Sequence, residues 1–325
     1  MLARIRTRLP AGGAGVLVGI GDDAAVVAPD RNQRLVLTTD ALVEGVHIDP
    51  RLSRPGDVGH KALAVNLSDL ASMGAEPRWA LLSLALPGGW LLADVEALVD
   101  GMAGLAVASG IAVVGGNITA SPGPLVVDVT AVGAVHPRRV LLRSGGRAGD
   151  ELYVSGTLGA GRAGLAALRE AAAAGTALDA APCGAWYRRP QPRLRLGRIL
   201  ARTRAARAAM DLSDGLGDAV RQLAEASGCG ARIDAESLPV NPAARAFWEA
   251  RGMDPVTEAV AGGDDYELLV AVAPRGRGRL RAARRHVADP PLTRIGVLTK
   301  ERGVRLDRGG HMDELPRGFE HYRED

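Results

Sequence analysis

Acidic residues recur beside strongly apolar segments near the beginning of the chain. They occur in Gly21-Asp-Asp23, Thr38-Thr-Asp40 and Asn66-Leu-Ser-Asp69. A carboxylate at the edge of a buried element is costly unless something positive compensates it, and no cluster of Lys or Arg lies nearby in the sequence. A hard divalent cation such as Mg²⁺ prefers oxygen ligands of this kind. We therefore interpret this stretch as half of a metal–nucleotide site.

The second half of the chain carries two further acidic motifs. Asp211-Leu-Ser-Asp-Gly215 places two carboxylates and a hydroxyl at a predicted helix start, where an N-cap role explains only one of the acids. Gly263-Asp-Asp-Tyr-Glu267 precedes an apolar strand. Strand alternation predicts a solvated face for Glu267 but does not account for Asp264. Acids this numerous, if they converge in the folded protein, suggest more than one bound cation, holding a polyphosphate.

Two glycine-rich segments are candidates for phosphate contacts. Gly115-Gly-Asn117 is predicted to end a buried strand, either as a plain tight turn or as a turn whose backbone amides approach phosphate. Gly156–Gly161 precedes a predicted helix but lacks the Lys-Ser/Thr pair of a Walker loop, so packing explains its glycines better. His47 and Arg143 are single polar residues in predicted loops, where a lone His is usually just exposed.

Strand and helix patterns alternate around these motifs. Apolar periodicity predicts helices over 58–73, 91–109, 162–174 and 214–227, and strands over 16–20, 34–39, 79–86, 111–114, 125–135, 151–155 and 292–298. Strand 34–39 is expected to form a hairpin with strand 16–20, and strand 292–298 to be the last long strand. A basic segment rich in Pro and Gly, 137–149, predicts a boundary between domains 1–137 and 148–325. Because the pattern lacks a strict βαβ repeat, it favours two domains of α+β (mixed α/β) type over one doubly wound sheet.

Composition excludes several classes of protein. The 325 residues are 47% apolar, enough for two domains with real cores and too apolar for a disordered chain. The net charge is +3 and the basic residues are scattered along predicted helix faces, so nucleic-acid binding is the weaker interpretation. No apolar stretch is long enough to span a membrane, and no signal peptide opens the chain. The two cysteines lack metal-like spacing, and a reducing, cytoplasmic compartment is expected.

Together these motifs resemble the thiamine-monophosphate kinase family. The resemblance rests on the acidic motifs, on the Val43–His47 loop and on the Lys61–Pro77 segment, and it runs nearly end to end in the same order. The same superfamily holds aminoimidazole ribonucleotide synthetase, selenophosphate synthetase and a hydrogenase maturation factor. The resemblance implies a two-domain fold like that of the first of these enzymes.

The resemblance also implies an activity and an assembly. The activity is direct, ATP-dependent phosphorylation of thiamine phosphate to thiamine diphosphate, assisted by several Mg²⁺ ions. The N-terminal domain would bind ATP and Mg²⁺ and pair its strands across a homodimer, and the C-terminal domain would complete the nucleotide and substrate site. Nucleic acid and membranes are not expected as partners.

Site residues follow from the resemblance by position. The implied metal ligands are Asp23, Thr38, Thr39, Asp40, Asp69, Asn117, Asp211 and Asp214. The implied ATP contacts are Gly116, Asn117, Arg143 and Ser213, and the implied substrate contacts are His47, Asp264 and Phe319. No residue is expected to act as a covalent nucleophile or general base, because the substrate phosphate is already ionised near pH 7.

Three departures from the family pattern are visible. Asn117 stands where many members have Asp, which removes one negative charge. Asp264 stands where many have Glu, so the side chain expected to contact the substrate is shorter by one methylene group. The usual segment before the first helix is largely missing, which indicates an internal start or a dispensable segment. Three alternatives stay open: another ATP-using enzyme of the superfamily, a catalytically degenerate nucleotide-binding regulator, and a nucleic-acid-binding protein.

Overall fold

The computed structural model describes residues 4–5, 7–9, 13–20 and 24–318. Contacts divide the chain into two compact units. The first unit comprises Met1–Leu70 and Ala75–Arg138, and the second comprises Ala71–Gly74 and Arg139–Asp325. The predicted functional division into 1–137 and 148–325 stays a prediction.

A four-stranded sheet in the order β3-β6-β4-β5 forms the first unit. Strands β4 and β5 run parallel, and the other neighbours are antiparallel. The sheet strands are β3 Arg34–Val43, β4 Glu76–Pro87, β5 Ala112–Ser121 and β6 Val126–Val135, and a separate antiparallel ribbon consists of β1 Val16–Val18 and β2 Val26–Val27. Two helices of 18 residues each, α1 Pro55–Ser72 and α2 Leu92–Ser109, bury apolar side chains such as Leu63, Leu67, Leu98 and Met102.

The second unit is built on a seven-stranded sheet in the order β13-β12-β9-β11-β7-β10-β8. Its strands are β7 Glu151–Ser155, β8 Ala208–Asp211, β9 Gly230–Asp234, β10 Leu268–Val272, β11 Leu292–Thr299, β12 Val304–Arg308 and β13 His311–Glu314. Its helices are α3 Ala160–Ala173, α4 Gly184–Arg188, α5 Leu194–Thr203, α6 Leu216–Ala226, α7 Pro242–Glu249, α8 Pro255–Ala261 and α9 Arg277–His286.

Strand β10 shows how both faces of this sheet are covered. Leu269 and Ala271 enter a core with residues of α6 such as Leu223. Leu268 and Val270, which point the other way, enter a core with residues of α5 and α9.

The two units together confirm the predicted two-domain fold of mixed helices and sheets. Within the described ranges, no helix has both the length and the apolar character needed to cross a bilayer.

Two sequence predictions about elements are wrong. Strand β1 pairs with β2, and β3 pairs along its whole length with β6 instead of forming the predicted hairpin. Gly115-Gly-Asn117 is not a turn, because β5 continues through it to Ser121 alongside β4. Strand β11 is followed only by the short strands β12 and β13 among the described residues. Both errors concern pairing between segments that are distant in sequence, which local periodicity does not reveal.

Candidate functional site

Helix α1 presents one accessible acid towards strand β3. Every residue from Asp57 to Ser72 is buried except Asp69, which is partly exposed. Thr38 Oγ1 on β3 donates a hydrogen bond to the Asp69 carboxylate. Asp40 lies on the same face of β3 as Thr38, because side chains two residues apart in a strand share a face. Thr38, Asp40 and Asp69 therefore bring carboxylate and hydroxyl oxygens to one side of the sheet.

The side chain of Thr39 lies on the opposite face of β3. Its hydroxyl donates to Asp128 Oδ1 at 3.0 Å and is 3.2 Å from the Thr130 hydroxyl. Asn117 lies on this face too, because it pairs with Ser83, which in turn pairs with Asp128. The structure therefore separates the side chains of Thr39 and Asn117 from the group formed by Thr38, Asp40 and Asp69.

Gly116 occupies a position in β5 where a side chain has no room. A Cβ added there would lie 1.9 Å from the carbonyl oxygen of Leu82 on the neighbouring strand. Close packing of two parallel strands thus accounts for this glycine, whether or not phosphate also approaches it.

The loop after β3 holds His47 in a compact turn. The backbone N–H of Val43 donates to His47 Nδ1 at 3.2 Å, and the backbone N–H of His47 donates to the Val43 carbonyl at 2.9 Å. A ring nitrogen that accepts a hydrogen bond is unprotonated, so a neutral His47 carries its proton on Nε2. The ring is partly exposed and suited to donate from Nε2 to a ligand.

Two predicted residues, Asp23 and Phe319, lie outside the described residues. Across the part of the chain that is described, no three His, Cys, Asp or Glu side chains are grouped as a metal-binding cluster. Magnesium usually takes only one or two direct carboxylates and completes its shell with water and substrate phosphate, so small groups of oxygen donors suit it.

The two acidic motifs of the second unit lie against one another. Strand β8 ends at Asp211, which pairs with Leu268 of β10. Beyond the strand ends, the N–H of Asp264 donates to the Ser213 carbonyl at 2.8 Å, and the N–H of Tyr266 donates to the Leu212 carbonyl at 2.9 Å. The structure therefore brings the segment holding Asp211, Ser213 and Asp214 next to the segment holding Asp264.

Gly263 allows this close approach. A Cβ at Gly263 would lie 2.6 Å from the Ser213 carbonyl oxygen, closer than side-chain atoms are found to approach backbone oxygens. Gly215, the residue before α6, has φ +104°, and a Cβ added there would lie 2.7 Å from the Gly262 carbonyl oxygen. Glycines in both motifs are thus required by the contact between them.

The carboxylate of Asp265 binds backbone amides of the glycine-rich segment at the beginning of α3. Its carboxylate accepts hydrogen bonds from the N–H of Gly159 at 2.7 Å and from the N–H of Gly161 at 3.1 Å. Burial raises the pKa of Asp265 to about 7, although these two donors favour the ionised form. Two amides that a phosphate loop would offer to its ligand are therefore occupied by the protein's own carboxylate.

The prediction of a solvated face for Glu267 is wrong. Glu267 is 3% exposed and forms an ion pair with Arg193. The Ser155 hydroxyl donates to its carboxylate and accepts from the Leu268 N–H at 2.9 Å. Burial raises the pKa of Glu267 despite the opposing effect of Arg193. Neither Arg193 nor Ser155 was predicted as a partner, because nothing in their local sequence indicates that they meet Glu267.

Arg143 lies along helix α6, which begins directly after the Asp211–Gly215 motif. Arg143 Nη1 donates to Gln222 Oε1 at 2.6 Å, and Gln222 donates in turn to Asp218 in the first turn of the helix. Arg143 is exposed. An exposed guanidinium has the fork of donors that suits a phosphate.

Comparison with known proteins agrees with the division of this chain into two units. Residues 21–135 match the family described as AIR synthase related protein, N-terminal domain, and residues 147–308 match the corresponding C-terminal domain. The thiamine-monophosphate kinase of Escherichia coli K12 is 38% identical over 99% of this chain and 97% of its own length. That of Bacillus subtilis 168 is 32% identical over 95% of each chain.

Solved structures are similar over most of the chain. The crystal structure of thiamine-monophosphate kinase from Stenotrophomonas maltophilia K279a has a TM-score of 0.84 and 40% identity, covering 94% of this chain and 95% of that one. A structure described as AaThiL complexed with AMPPCP and TMP has a TM-score of 0.77 and 33% identity, covering 91% of this chain and 89% of that one. Relatives this similar over nearly the whole chain establish the family, and we conclude that this chain belongs to the thiamine-monophosphate kinase family.

Proposed function

We propose that this protein transfers the γ-phosphoryl group of ATP to thiamine phosphate, giving thiamine diphosphate and ADP. The observation that carries the proposal is the 38% identity to a thiamine-monophosphate kinase over 99% of this chain. It is supported by the relative that binds AMPPCP and TMP together, since these ligands correspond in chemistry to the two substrates. Thiamine diphosphate biosynthesis in the cytoplasm is the proposed setting.

Magnesium is part of this proposal, and the donor chemistry fits it. Thr38, Asp40 and Asp69 supply hydroxyl and carboxylate oxygens on one side of the first unit's sheet, and Asp211 and Asp214 supply carboxylates in the second unit. Oxygen-only donors suit a hard cation. When bound, Mg²⁺ neutralises phosphate charge and aligns the reacting oxygens. Asp23, Thr39 and Asn117 remain ligands predicted from the family resemblance alone, since the side chains of Thr39 and Asn117 lie on the opposite face of the sheet.

The chain's other polar groups act by positioning. Arg143 offers guanidinium donors to a phosphate of ATP, and Ser213 a hydroxyl at the Asp211–Gly215 motif. Gly116 and Asn117 complete the proposed nucleotide contacts. Because phosphoryl transfer has a loose transition state, orientation and charge neutralisation supply most of the catalysis, and no side chain needs to become phosphorylated.

The proposed thiamine phosphate contacts are His47, Asp264 and Phe319. His47 offers an N–H donor at Nε2, since its Nδ1 already accepts from the backbone. Asp264 offers a carboxylate, which suits the positively charged thiazolium ring. The attacking phosphate oxygen is ionised near pH 7, so these residues orient the substrate and do not remove a proton from it.

A homodimer is also proposed, with the four-stranded sheet as its interface. The face that carries Thr39 also exposes Leu35, Leu37 and Leu81, with 43%, 67% and 43% of their surface accessible. Large apolar side chains grouped on one sheet face favour burial against a partner. The edge strands β3 and β5 offer further backbone groups for strand pairing.

Product analysis tests the activity. The full-length protein, ATP, Mg²⁺ and thiamine phosphate are incubated together, and the products are identified by mass spectrometry. We expect thiamine diphosphate and ADP in equal amounts. ATP binding without thiamine diphosphate would contradict the proposal and favour a degenerate regulator. Turnover of an aminoimidazole precursor instead would favour another enzyme of the superfamily.

A further inference from the structure

Asp265 stands between two residues with unusual backbone conformations. Asp264 has φ +64° and Tyr266 has φ +50°. Positive φ is uncommon in residues other than glycine, and for a residue as large as Tyr it persists only where the surroundings hold it. Here the hydrogen bonds from both N–H groups to the carbonyls of Leu212 and Ser213 hold it. The chain therefore turns twice within three residues and sends neighbouring side chains in different directions.

The Asp265 side chain is directed to the beginning of helix α3. The amides of Gly159 and Gly161 donate to its two carboxylate oxygens at 2.7 and 3.1 Å. A Cβ on Gly161 would lie 2.5 Å from the backbone oxygen of Asp264. The helix start thus packs directly on the backbone of Asp264, and Asp265 fastens the two segments together.

The Tyr266 side chain fixes the carboxylate of Asp264. Tyr266 Oη donates to Asp264 Oδ1 at 3.0 Å. The Tyr266 residue is 8% exposed, so its ring has few alternative rotamers. Asp264 is partly exposed, so a ligand can reach its carboxylate. The carboxylate is therefore oriented before any ligand arrives.

We infer that Asp265 and Tyr266 are positioning residues that preset Asp264 for thiamine phosphate. The inference rests on the proposed function, in which Asp264 contacts that substrate. Asp265 fixes the backbone of Asp264 through α3, and Tyr266 fixes its side chain through one hydrogen bond. Because a preset group loses less conformational freedom on binding, the two residues increase affinity for thiamine phosphate without touching it. The side-chain hydrogen bonds of Asp265 and Tyr266 involve neither Arg143 nor Ser213, so ATP binding should change little when these side chains are altered.

The Tyr266→Phe variant tests this inference, because it removes one hydroxyl and keeps the ring. We expect the KM for thiamine phosphate to rise about fivefold, because binding must then immobilise the Asp264 side chain, which costs about 1 kcal/mol. The KM for ATP should stay within about twofold. Both constants are measured with the full-length protein from initial rates of thiamine diphosphate formation.

Tyr153→Phe is the matched control. Tyr153 Oη also donates to a carboxylate, that of Glu151, at 3.1 Å, and it lies in the same unit. A purely structural effect of losing such a bond would affect the two variants alike, whereas positioning affects only Tyr266→Phe. An equal rise in the KM for thiamine phosphate in both variants, or a KM in Tyr266→Phe within about twofold of wild type, would overturn the inference.

Asp265→Asn supplies a second measurement that does not depend on turnover. Loss of the negative charge weakens the bonds from Gly159 and Gly161, so hydrogen exchange at these two amides should accelerate, with a selective rise in the KM for thiamine phosphate. Unchanged exchange would contradict the role given to Asp265. A wild-type protein that forms no thiamine diphosphate would instead refute the proposed function, and this inference with it.

Discussion

The hydroxyl of Thr38 on β3 donates a hydrogen bond to the carboxylate of Asp69 on α1. Asp69 is the one residue between Asp57 and Ser72 that is not buried, and each of those positions is described by the structure. An acid on an otherwise buried helix surface is costly to keep unless it serves a ligand or a partner. The hydrogen bond orients Asp69 towards the strand that also carries Asp40.

Asp69→Asn should abolish most of the proposed kinase activity. The amide keeps the size of the side chain and still accepts from Thr38, but it lacks the negative charge that strengthens Mg²⁺ binding and offsets the charge of the ion. We expect kcat to fall on the order of 10²–10³-fold, as when one strong transition-state contact is lost. The measurement is the initial rate of thiamine diphosphate formation at saturating Mg²⁺.

Asp100→Asn, on the exposed surface of α2, is the control and should keep full activity. A folded Asp69→Asn protein with undiminished turnover would refute the assignment.

Local patterns predicted the elements well where periodicity was strong. The helix predicted over 91–109 is α2, Leu92–Ser109, and the strand predicted over 125–135 is β6, Val126–Val135. The acids of the Asp211–Gly215 and Gly262–Leu268 motifs are expected from the sequence to converge, but the strand pairing that brings the two motifs together is not. Their contact depends on the pairing of β8 with β10, which are separated by about 60 residues, and long-range pairing leaves little trace in local sequence.

The wrong prediction of a solvated face for Glu267 has a different physical cause. Alternation assumes that one face of a strand meets solvent, yet all five residues of β10 are buried because helices cover both faces of the sheet. A charged residue next to such a strand needs a buried partner. Arg193 supplies that partner from a distant part of the chain, so the sequence alone gave no sign of the pair.

Arg193→Met should destabilise the second unit strongly. Glu267 has 4% of its side chain exposed, and loss of the guanidinium leaves this carboxylate buried without its counter-charge. We expect a loss of about 3 kcal/mol in the free energy of unfolding, the usual result of breaking a buried pair. Burial already raises the pKa of Glu267, so the loss should be largest at high pH, where the acid must be ionised.

Arg245→Met is the control for this experiment. Arg245 pairs with Glu249 at 3.6 Å, and both side chains are exposed, at 44% and 57%. Removal of such a pair should cost less than about 0.5 kcal/mol. Urea denaturation of both variants at pH 7 and pH 5 measures the difference. Equal losses in the two variants would contradict the structural role assigned to Arg193.

Glu151 should contribute to acid unfolding. Hydrogen bonding from Arg277 is the main cause that lowers the pKa of Glu151 to about 2 from its ordinary value of 4.5, with further help from Tyr153 and Arg294. A folded pKa below the unfolded one stabilises the protein above about pH 4.5, and this stabilisation disappears as the pH falls towards 2. Screening of the two exposed guanidinium groups limits the contribution to about 1–2 kcal/mol.

The Glu151→Gln variant tests this pH dependence. The free energy of unfolding of the wild-type protein should fall more steeply between pH 4.5 and pH 2.5 than that of the variant, since Gln does not titrate. Chemical denaturation across this range gives both slopes. Glu301→Gln, at an exposed turn, should follow the wild type. Parallel curves for wild type and Glu151→Gln would show that Glu151 is not responsible.

Leu37→Asp should convert the proposed dimer to a monomer. Leu37 has 67% of its surface exposed on the sheet face that the proposed interface uses, and a charge there would have to be buried against a second copy. Leu91, before α2, is also 67% exposed, and Asp is favourable at its N-cap position, so Leu91→Asp is the control. Sedimentation velocity should give twice the mass of one chain for the wild type and for Leu91→Asp, and the mass of one chain for Leu37→Asp. A wild-type monomer would refute the dimer, and an intact Leu37→Asp dimer would place its interface on another surface.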